Sequence, residues 1–364
     1  MSNLATMATA RRGLGLAAPP RWLVGWWAVG RVAVLATAFA IRPTVWTLDR
    51  WDGRWYGMVA RDGYLLLPGR QSDPAFFPLY PILLRVVHEL GISWGIAGPL
   101  ISNIAFLVGL GLFFVLTREL FSEPLARRAT TYLAIFPLSY VFSMAYPESV
   151  VLVLLTAAPL AALRCRWWLA ACCAALAALA RPEGVFLAFP LAGIAWQQRH
   201  TLTPARRGSA LAAVFAPLAA LVSYSLYLDS VLHDPFAWSR AEHAWGRRFR
   251  IIGAFRAFEH LPSALGHTPW LVRDVVCFFL YLGLLYAARR AGLPNVWLAA
   301  AAAVVILPIF TGAFDSIGRF GLLAPPLFWG LASLTRKPRA DWLVRAVSVV
   351  LLVLGTVSLL YVFP

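Results

Sequence analysis

The feature that most constrains this chain is the recurrence of apolar runs long enough to cross a hydrocarbon layer. A spanning helix needs about 20 mostly apolar residues, because backbone amides inside a bilayer find partners only within the helix itself. Such runs fall at roughly 22–41, 96–117, 129–145, 148–163, 167–181, 184–198, 209–229, 271–288, 295–312, 320–335 and 342–362. The pattern predicts an all-α polytopic membrane protein with about eleven transmembrane helices. Several of these runs are short, and are expected to tilt or to end inside the membrane boundary. Composition agrees: of 364 residues, 60% are hydrophobic and only 13% charged, where soluble domains carry about a quarter charged. A water-soluble enzyme, a disordered chain and a secreted disulfide scaffold are thereby excluded. Cys165, Cys172, Cys173 and Cys277 all lie in apolar stretches. They read as small core residues and imply no disulfide framework.

The net charge is +16, and 31 of the 32 basic residues are arginine. They interrupt apolar runs rather than forming a stripe, which speaks against nucleic acid and for a topology signal. With the N-terminus cytoplasmic, the inner connections carry Arg11, Arg12 and Arg21; Arg118, Arg127 and Arg128; Arg164 and Arg166; Arg199, Arg206 and Arg207; Arg289 and Arg290; and Arg336, Lys337 and Arg339. Among the acids, only Glu119, Glu123 and Asp341 then fall inside, and the other 13 of 16 lie on or near the outer face. Two long segments, 42–95 and 230–270, also lie there. The expected arrangement is a cytoplasmic tail over 1–20 and one transmembrane domain over 21–364. It is placed in the inner (plasma) membrane, with its chemistry on the periplasmic, extracytoplasmic face.

The first outer loop is the most informative stretch. From Asp49 to Tyr64, a helical reading places Arg50, Arg54 and Arg61 within about 40° of one another. Trp51, Trp55, Tyr56, Val59 and Asp62 then face the other way. This describes an amphipathic helix lying at headgroup depth. Asp52 falls among the aromatic residues, about 160° from the arginine stripe. A carboxylate there is costly to desolvate unless it is paired or used. The plainer alternative makes Asp49 or Asp52 only the N-cap of the helix. The loop continues through Pro74, Phe76, Phe77, Pro78, Tyr80 and Pro81 into an apolar stretch ending near Leu90. That stretch predicts a re-entrant or interfacial helix. Its aromatic residues suit either an isoprenoid channel or interface anchors.

In their order, Trp51-Asp52, Gly63-Tyr64 and Phe76-Phe77-Pro78-Leu79-Tyr80-Pro81 resemble the PIG-V-like mannosyltransferases. That family includes the enzyme adding the second mannose to the glycosylphosphatidylinositol precursor (GPI mannosyltransferase 2) and bacterial homologues. Tyr146-Pro147-Glu148-Ser149 resembles its Tyr-x-Glu-Ser turn. Arg181-Pro182-Glu183-Gly184 stands where eukaryotic members have Arg-Ser-Asn-Gly. Trp245-Gly246-Arg247 and Arg319-Phe320 resemble later motifs. The Pro-Glu replacement and the arginine-rich composition point to a bacterial member.

The resemblance implies a GT-C architecture, an outer-facing site and inverting transfer of mannose from polyprenyl-phosphate-mannose to the hydroxyl of a glycolipid or glycan acceptor. Asp52, matching the family's first-loop acid, is then the general base. Arginine suits the leaving phosphate because its planar fork meets two oxygens. Arg319 is the first candidate, Arg181 the second, and Arg247 with Arg248 the third. Glu148, Glu183, His243, Trp245, Asp49 and Tyr80 are the candidates for sugar or acceptor contacts, with a structural pairing of Glu148 or Glu183 to Arg181 as the alternative. No His-Cys cluster has metal-ligand spacing. No cofactor is expected, although a divalent cation held by a phosphate needs few protein carboxylates and stays open. A GT-C enzyme using another polyprenyl-phosphate sugar fits the same residues. A lipid-linked sugar flippase would instead require several ionisable residues in mid-span and similar halves. Arg31 lies inside a span, but no chain of buried acids and no repeated halves are expected.

Overall fold

The computed structural model describes residues 19–262 and 269–361. The tail expected over 1–20 lies almost wholly outside them, as does part of the second long loop. The fold is all-helical, with no strand among the described residues. In chain order the helices are α1 (Arg21–Ile41), α2 (Asp52–Asp62), α3 (Leu79–Glu89), α4 (Trp94–Leu120), α5 (Glu123–Ile135), α6 (Glu148–Leu163), α7 (Trp167–Ala180), α8 (Ala188–Gln198), α9 (Pro204–Leu232), α10 (Ala237–Ala244), α11 (Gly253–Glu259), α12 (Pro269–Arg290), α13 (Asn295–Ile306), α14 (Ile317–Gly321), α15 (Pro325–Leu334) and α16 (Pro338–Leu359).

Among the described residues, five helices are long and apolar enough to cross a membrane: α1, α4, α9, α12 and α16. Helices α6, α7 and the stretch 295–311 are apolar but shorter. The expected run 129–145 is not one helix. Helix α5 stops at Ile135 because Phe136 turns extended ahead of Pro137, as the residue before a proline is pushed to do. A 3₁₀ turn, Ser139–Ser143, follows. The run 184–198 begins as a 3₁₀ turn, Pro182–Leu187, before α8. The run 295–312 ends in another, Leu307–Thr311. The run 320–335 is divided between α14 and α15. In each case a proline or a glycine breaks a run that hydropathy alone would join.

Helix α7 packs along α9, and α6 lies between α4 and α7. The buried face of α7 is built from Ala170, Ala174, Ala177 and Ala178, and such small side chains let helix backbones approach closely. On α1, a Cβ at Gly30 would lie 2.6 Å from the Ala134 carbonyl oxygen, so only glycine seats α1 on α5. Arg31 follows it. Its guanidinium donates to Ser143 Oγ at 2.7 Å and to the Ser139 carbonyl at 3.0 Å. It also lies 4.7 Å from the Phe106 ring centre. The one arginine inside the first span is thus paired within the bundle. Cys277 is buried as expected of a core residue, whereas Cys172 is exposed on the outer surface of α7, and all four cysteines are free thiols.

Candidate functional site

The site forms where four chain breaks meet. The first precedes α2. The Ala145 N–H donates to the Leu48 carbonyl at 2.9 Å, tying the first loop to the turn before α6. A Cβ at Gly53 would lie 3.1 Å from the Ala145 Cβ and 2.8 Å from Asp49 Oδ1, so glycine permits this close seat. Trp51 takes the left-handed region, with φ of 54°, and acts as N-cap without a side-chain bond. Neither Asp49 nor Asp52 therefore caps α2. Asp52 opens the helix, and its backbone N–H donates to the Tyr146 hydroxyl at 3.4 Å, leaving the carboxylate free to turn inward.

Arg319 meets it. Arg319 Nη1 donates to Asp52 Oδ2 at 2.5 Å, and Arg319 Nε lies 3.3 Å from Glu148 Oε1. The same Glu148 oxygen accepts from Arg181 Nη1 at 2.7 Å. Arg181 in turn grips Glu183 through Nε at 3.0 Å and Nη2 at 2.9 Å, a bidentate pair. The result is an alternating chain of acid and base, Asp52–Arg319–Glu148–Arg181–Glu183, in which Glu148 is completely buried. Sequence reasoning expected no chain of buried acids, because no acid sits in the middle of a run. These groups lie at helix ends instead. Glu148 opens α6, Arg181 follows α7, and Glu183 lies in the 3₁₀ turn.

Two further features fix the geometry. A Cβ at Gly184 would lie 2.3–2.5 Å from the α7 backbone at Ala177 and Ala178, so the turn bearing Glu183 is pressed against α7. Before α14, Ser316 has φ of 67°. Asp274, buried on α12, accepts from the Ser316 and Gly318 amides at 3.0 Å each. It thereby supplies from a distant helix the anionic partner that the first turn of α14 needs. Asp274 also pairs with the adjacent Arg273 at 3.2 Å, and it carried no sequence signal because the two lie near the start of an apolar run.

The charged chain borders a cavity of about 490 Å³. Asp52, Arg181, Glu183, Trp245, Arg247 and Arg319 all line it, together with Phe76 and Phe77 from the first loop. Trp55 stacks on Phe76 with centroids 5.7 Å apart, and Trp245 meets both edge-on. Arg247 donates to Ser316 Oγ at 3.0 Å and approaches Glu242 at 3.7 Å. Glu242 and Asp315 also line the cavity, and neither stood among the expected site residues. The only available signal for them was their place beside Trp245 and Arg319 in the chain. Loss of water at the wall holds the Glu242 carboxyl above its ordinary range, and Arg247 offsets this only in part.

Other expected residues lie elsewhere. Tyr80 is fully buried in the core, where its hydroxyl donates to the Gly98 carbonyl at 3.1 Å. His243 and Arg248 are exposed and do not line the cavity. Asp49 is buried behind α2, where loss of water raises its carboxyl, opposed by Arg61 and Arg54. Asp62 is exposed, not on the apolar face of α2. Among the described residues, no three His, Cys, Asp or Glu side chains converge as a metal site. No protein-family model matches the chain, and no curated protein matches its sequence.

Proposed function

We propose that the protein is an integral-membrane inverting glycosyltransferase of GT-C type, moving mannose from polyprenyl-phosphate-mannose to an acceptor hydroxyl on the extracytoplasmic face. The single observation that carries this reading is the meeting of Asp52 and Arg319 at one wall of an aromatic-lined cavity in an apolar helical bundle. A sugar-lipid donor presents such a site with an apolar tail for the bilayer, a ring face for aromatic side chains and a phosphate for arginine. The resemblance in the first loop names the sugar.

In this reading Asp52 is the general base. Arg319 holds Oδ2, and Oδ1 faces the acceptor. The acceptor oxygen attacks the anomeric carbon, its proton passes to Asp52, and the carbon–oxygen bond to phosphate breaks with its electron pair retained by the phosphate. The polyprenyl phosphate leaves, and Asp52 returns its proton to water. Charge growing on the phosphate needs a preorganised cation. Arg319 and Arg181 are each engaged by two carboxylates. Their part is to fix the acids. Arg247, whose nearest acid is 3.7 Å away, is the guanidinium best placed for the leaving group. Trp245, on the cavity wall, supplies a face for a sugar ring.

The test is transfer of labelled mannose from polyprenyl-phosphate-mannose by the purified protein in proteoliposomes. Asp52→Asn is expected to remove at least about 100-fold of the rate, the lower bound for a positioned general base, while the protein keeps its elution profile. Transfer at the wild-type rate by Asp52→Asn would falsify the assignment of the base. Absence of transfer by the wild-type protein across a panel of acceptors, with another polyprenyl-phosphate sugar accepted, would move the donor to that sugar.

A further inference from the structure

A second cavity, of about 290 Å³, opens between the N-terminal ends of α7 and α9, and is lined by Arg166, Trp167, Trp168, Leu169, Arg206 and Ser209 among others. It lies at the opposite end of α7 from Arg181. Fourteen helical residues separate the two, about 21 Å of rise, so it is distinct from the charged chain. Four observations give it a chemistry. First, neither Arg166 nor Arg206 has an acid partner for its guanidinium among the described residues, although Arg164 beside them is paired to Glu119. Second, α7 begins at Trp167 without a side-chain cap, so its first amides point outward with the positive end of the helix dipole. Third, Trp167 is 2% exposed, and its indole N–H has no acceptor. Fourth, Trp168 and Leu169 are 69% and 41% exposed at the start of an apolar helix, the depth at which tryptophan meets the headgroup boundary.

Unpaired guanidinium groups and free amides call for an anion. The adjoining apolar side chains call for hydrocarbon attached to it. Basic pockets between helices at a membrane boundary bind anionic headgroups on this principle. We propose that this cavity binds the phosphodiester headgroup of an anionic phospholipid, with Arg166 and Arg206 on the phosphate and Trp168 and Leu169 along the acyl chains. The bound lipid bridges α7 and α9, the helix pair that packs most extensively, and so fastens the far end of the helix that presents Arg181.

The test is native mass spectrometry of the purified full-length protein, titrated with dioleoylphosphatidylglycerol or dioleoylphosphatidylcholine, alone and against excess inorganic phosphate. The wild-type protein is expected to retain phosphatidylglycerol selectively, and excess inorganic phosphate is expected not to displace it. Arg166→Gln with Arg206→Gln should weaken retention about 30-fold, as two near-surface cations are each worth about fivefold. Arg199→Gln, at the same end of the bundle but outside the cavity, should leave retention unchanged. Equal retention of both lipids by the wild type overturns the proposal without any variant. So does displacement by inorganic phosphate, which would make the site a simple anion site, and so does unchanged retention in the double variant. None of these readouts involves glycosyl transfer.

Discussion

Asp52 and Arg319 stand 267 positions apart in the chain and share a 2.5 Å hydrogen bond. The pair closes the bundle, joining the first loop to the short helix before the penultimate apolar segment. Arg319 also lies 3.3 Å from Glu148 Oε1, the same oxygen that Arg181 approaches to 2.7 Å. Removal of Arg319 leaves Asp52 without an ion partner and facing Glu148, which keeps only Arg181.

That relationship predicts a strong and partly reversible loss of stability. Breaking a buried ion pair on one side costs about 3–5 kcal/mol. Arg319→Gln should therefore lower the thermal unfolding midpoint of the purified protein markedly. Adding Glu148→Gln removes one of the two neighbouring like charges and should recover at least about 1 kcal/mol, a coupling typical of contacting residues. Simple additivity of the two substitutions would show that Glu148 and Arg319 do not interact as described.

The position of Arg319 also depends on Asp274. Its two oxygens accept the Ser316 and Gly318 amides. Asparagine offers one acceptor oxygen and places an N–H against the other amide. Asp274→Asn is expected to cost about 1–3 kcal/mol in stability, the penalty of an unsatisfied buried group. In the transfer assay it should lower kcat more than KM, because it disturbs the residue that orients the base. A larger change in KM with kcat intact would instead place Asp274 in substrate binding.

Much of this arrangement was legible in the sequence, and the reasons for the rest are specific. The apolar runs gave the helical membrane class, and the motif Trp51-Asp52 led to one wall of the cavity. Arg181, Glu148 and Glu183 were found because they flank prolines between two apolar runs. Tyr80 was misplaced because a tyrosine in an aromatic-proline stretch carries no sign of which face it turns to. Its hydroxyl is used inside the core, on Gly98 and Ser102. Glu242 was passed over because a helical wheel describes one short element, whereas its place on the cavity wall is set by the contact of α10 with the 3₁₀ turn Asp73–Ala75. The span count differs because hydropathy windows average over single residues such as Pro137 that end a helix.

The glycine before α8 gives a steric prediction. A methyl group at Gly184 meets α7 backbone atoms at 2.3–2.5 Å, and backbone cannot yield as a flexible side chain can. Gly184→Ala should destabilise by about 1–3 kcal/mol or more, the range for overpacked sites. It should also shift Arg181 and Glu183 enough to reduce transfer. Gly208→Ala on α9 meets nothing within 4 Å and lies in a helix, where alanine gains about 0.5–1 kcal/mol over glycine. Unfolding midpoints of the two variants should move in opposite directions.

The last prediction concerns pH and the first loop. Asp73 is buried, and loss of water raises its carboxyl to about 6, although the Leu65 amide, donating to it at 2.7 Å, works against the shift. A carboxyl whose folded pKa exceeds its ordinary value binds its proton more tightly in the folded loop. The unfolded loop then holds fewer protons across the interval, so stability falls as pH rises from about 4 to about 6. The loop is thus firmest on the acid side, the reverse of a salt-bridged aspartate. Amide exchange at Leu65–Phe77, corrected for the intrinsic rate, should slow by about threefold to tenfold between pH 7 and pH 5. Asp73→Asn keeps an acceptor for the Leu65 amide and carries no charge, so it should hold the slow rate at both values. Exchange that is equally pH-dependent in Asp73→Asn would assign the effect to another group.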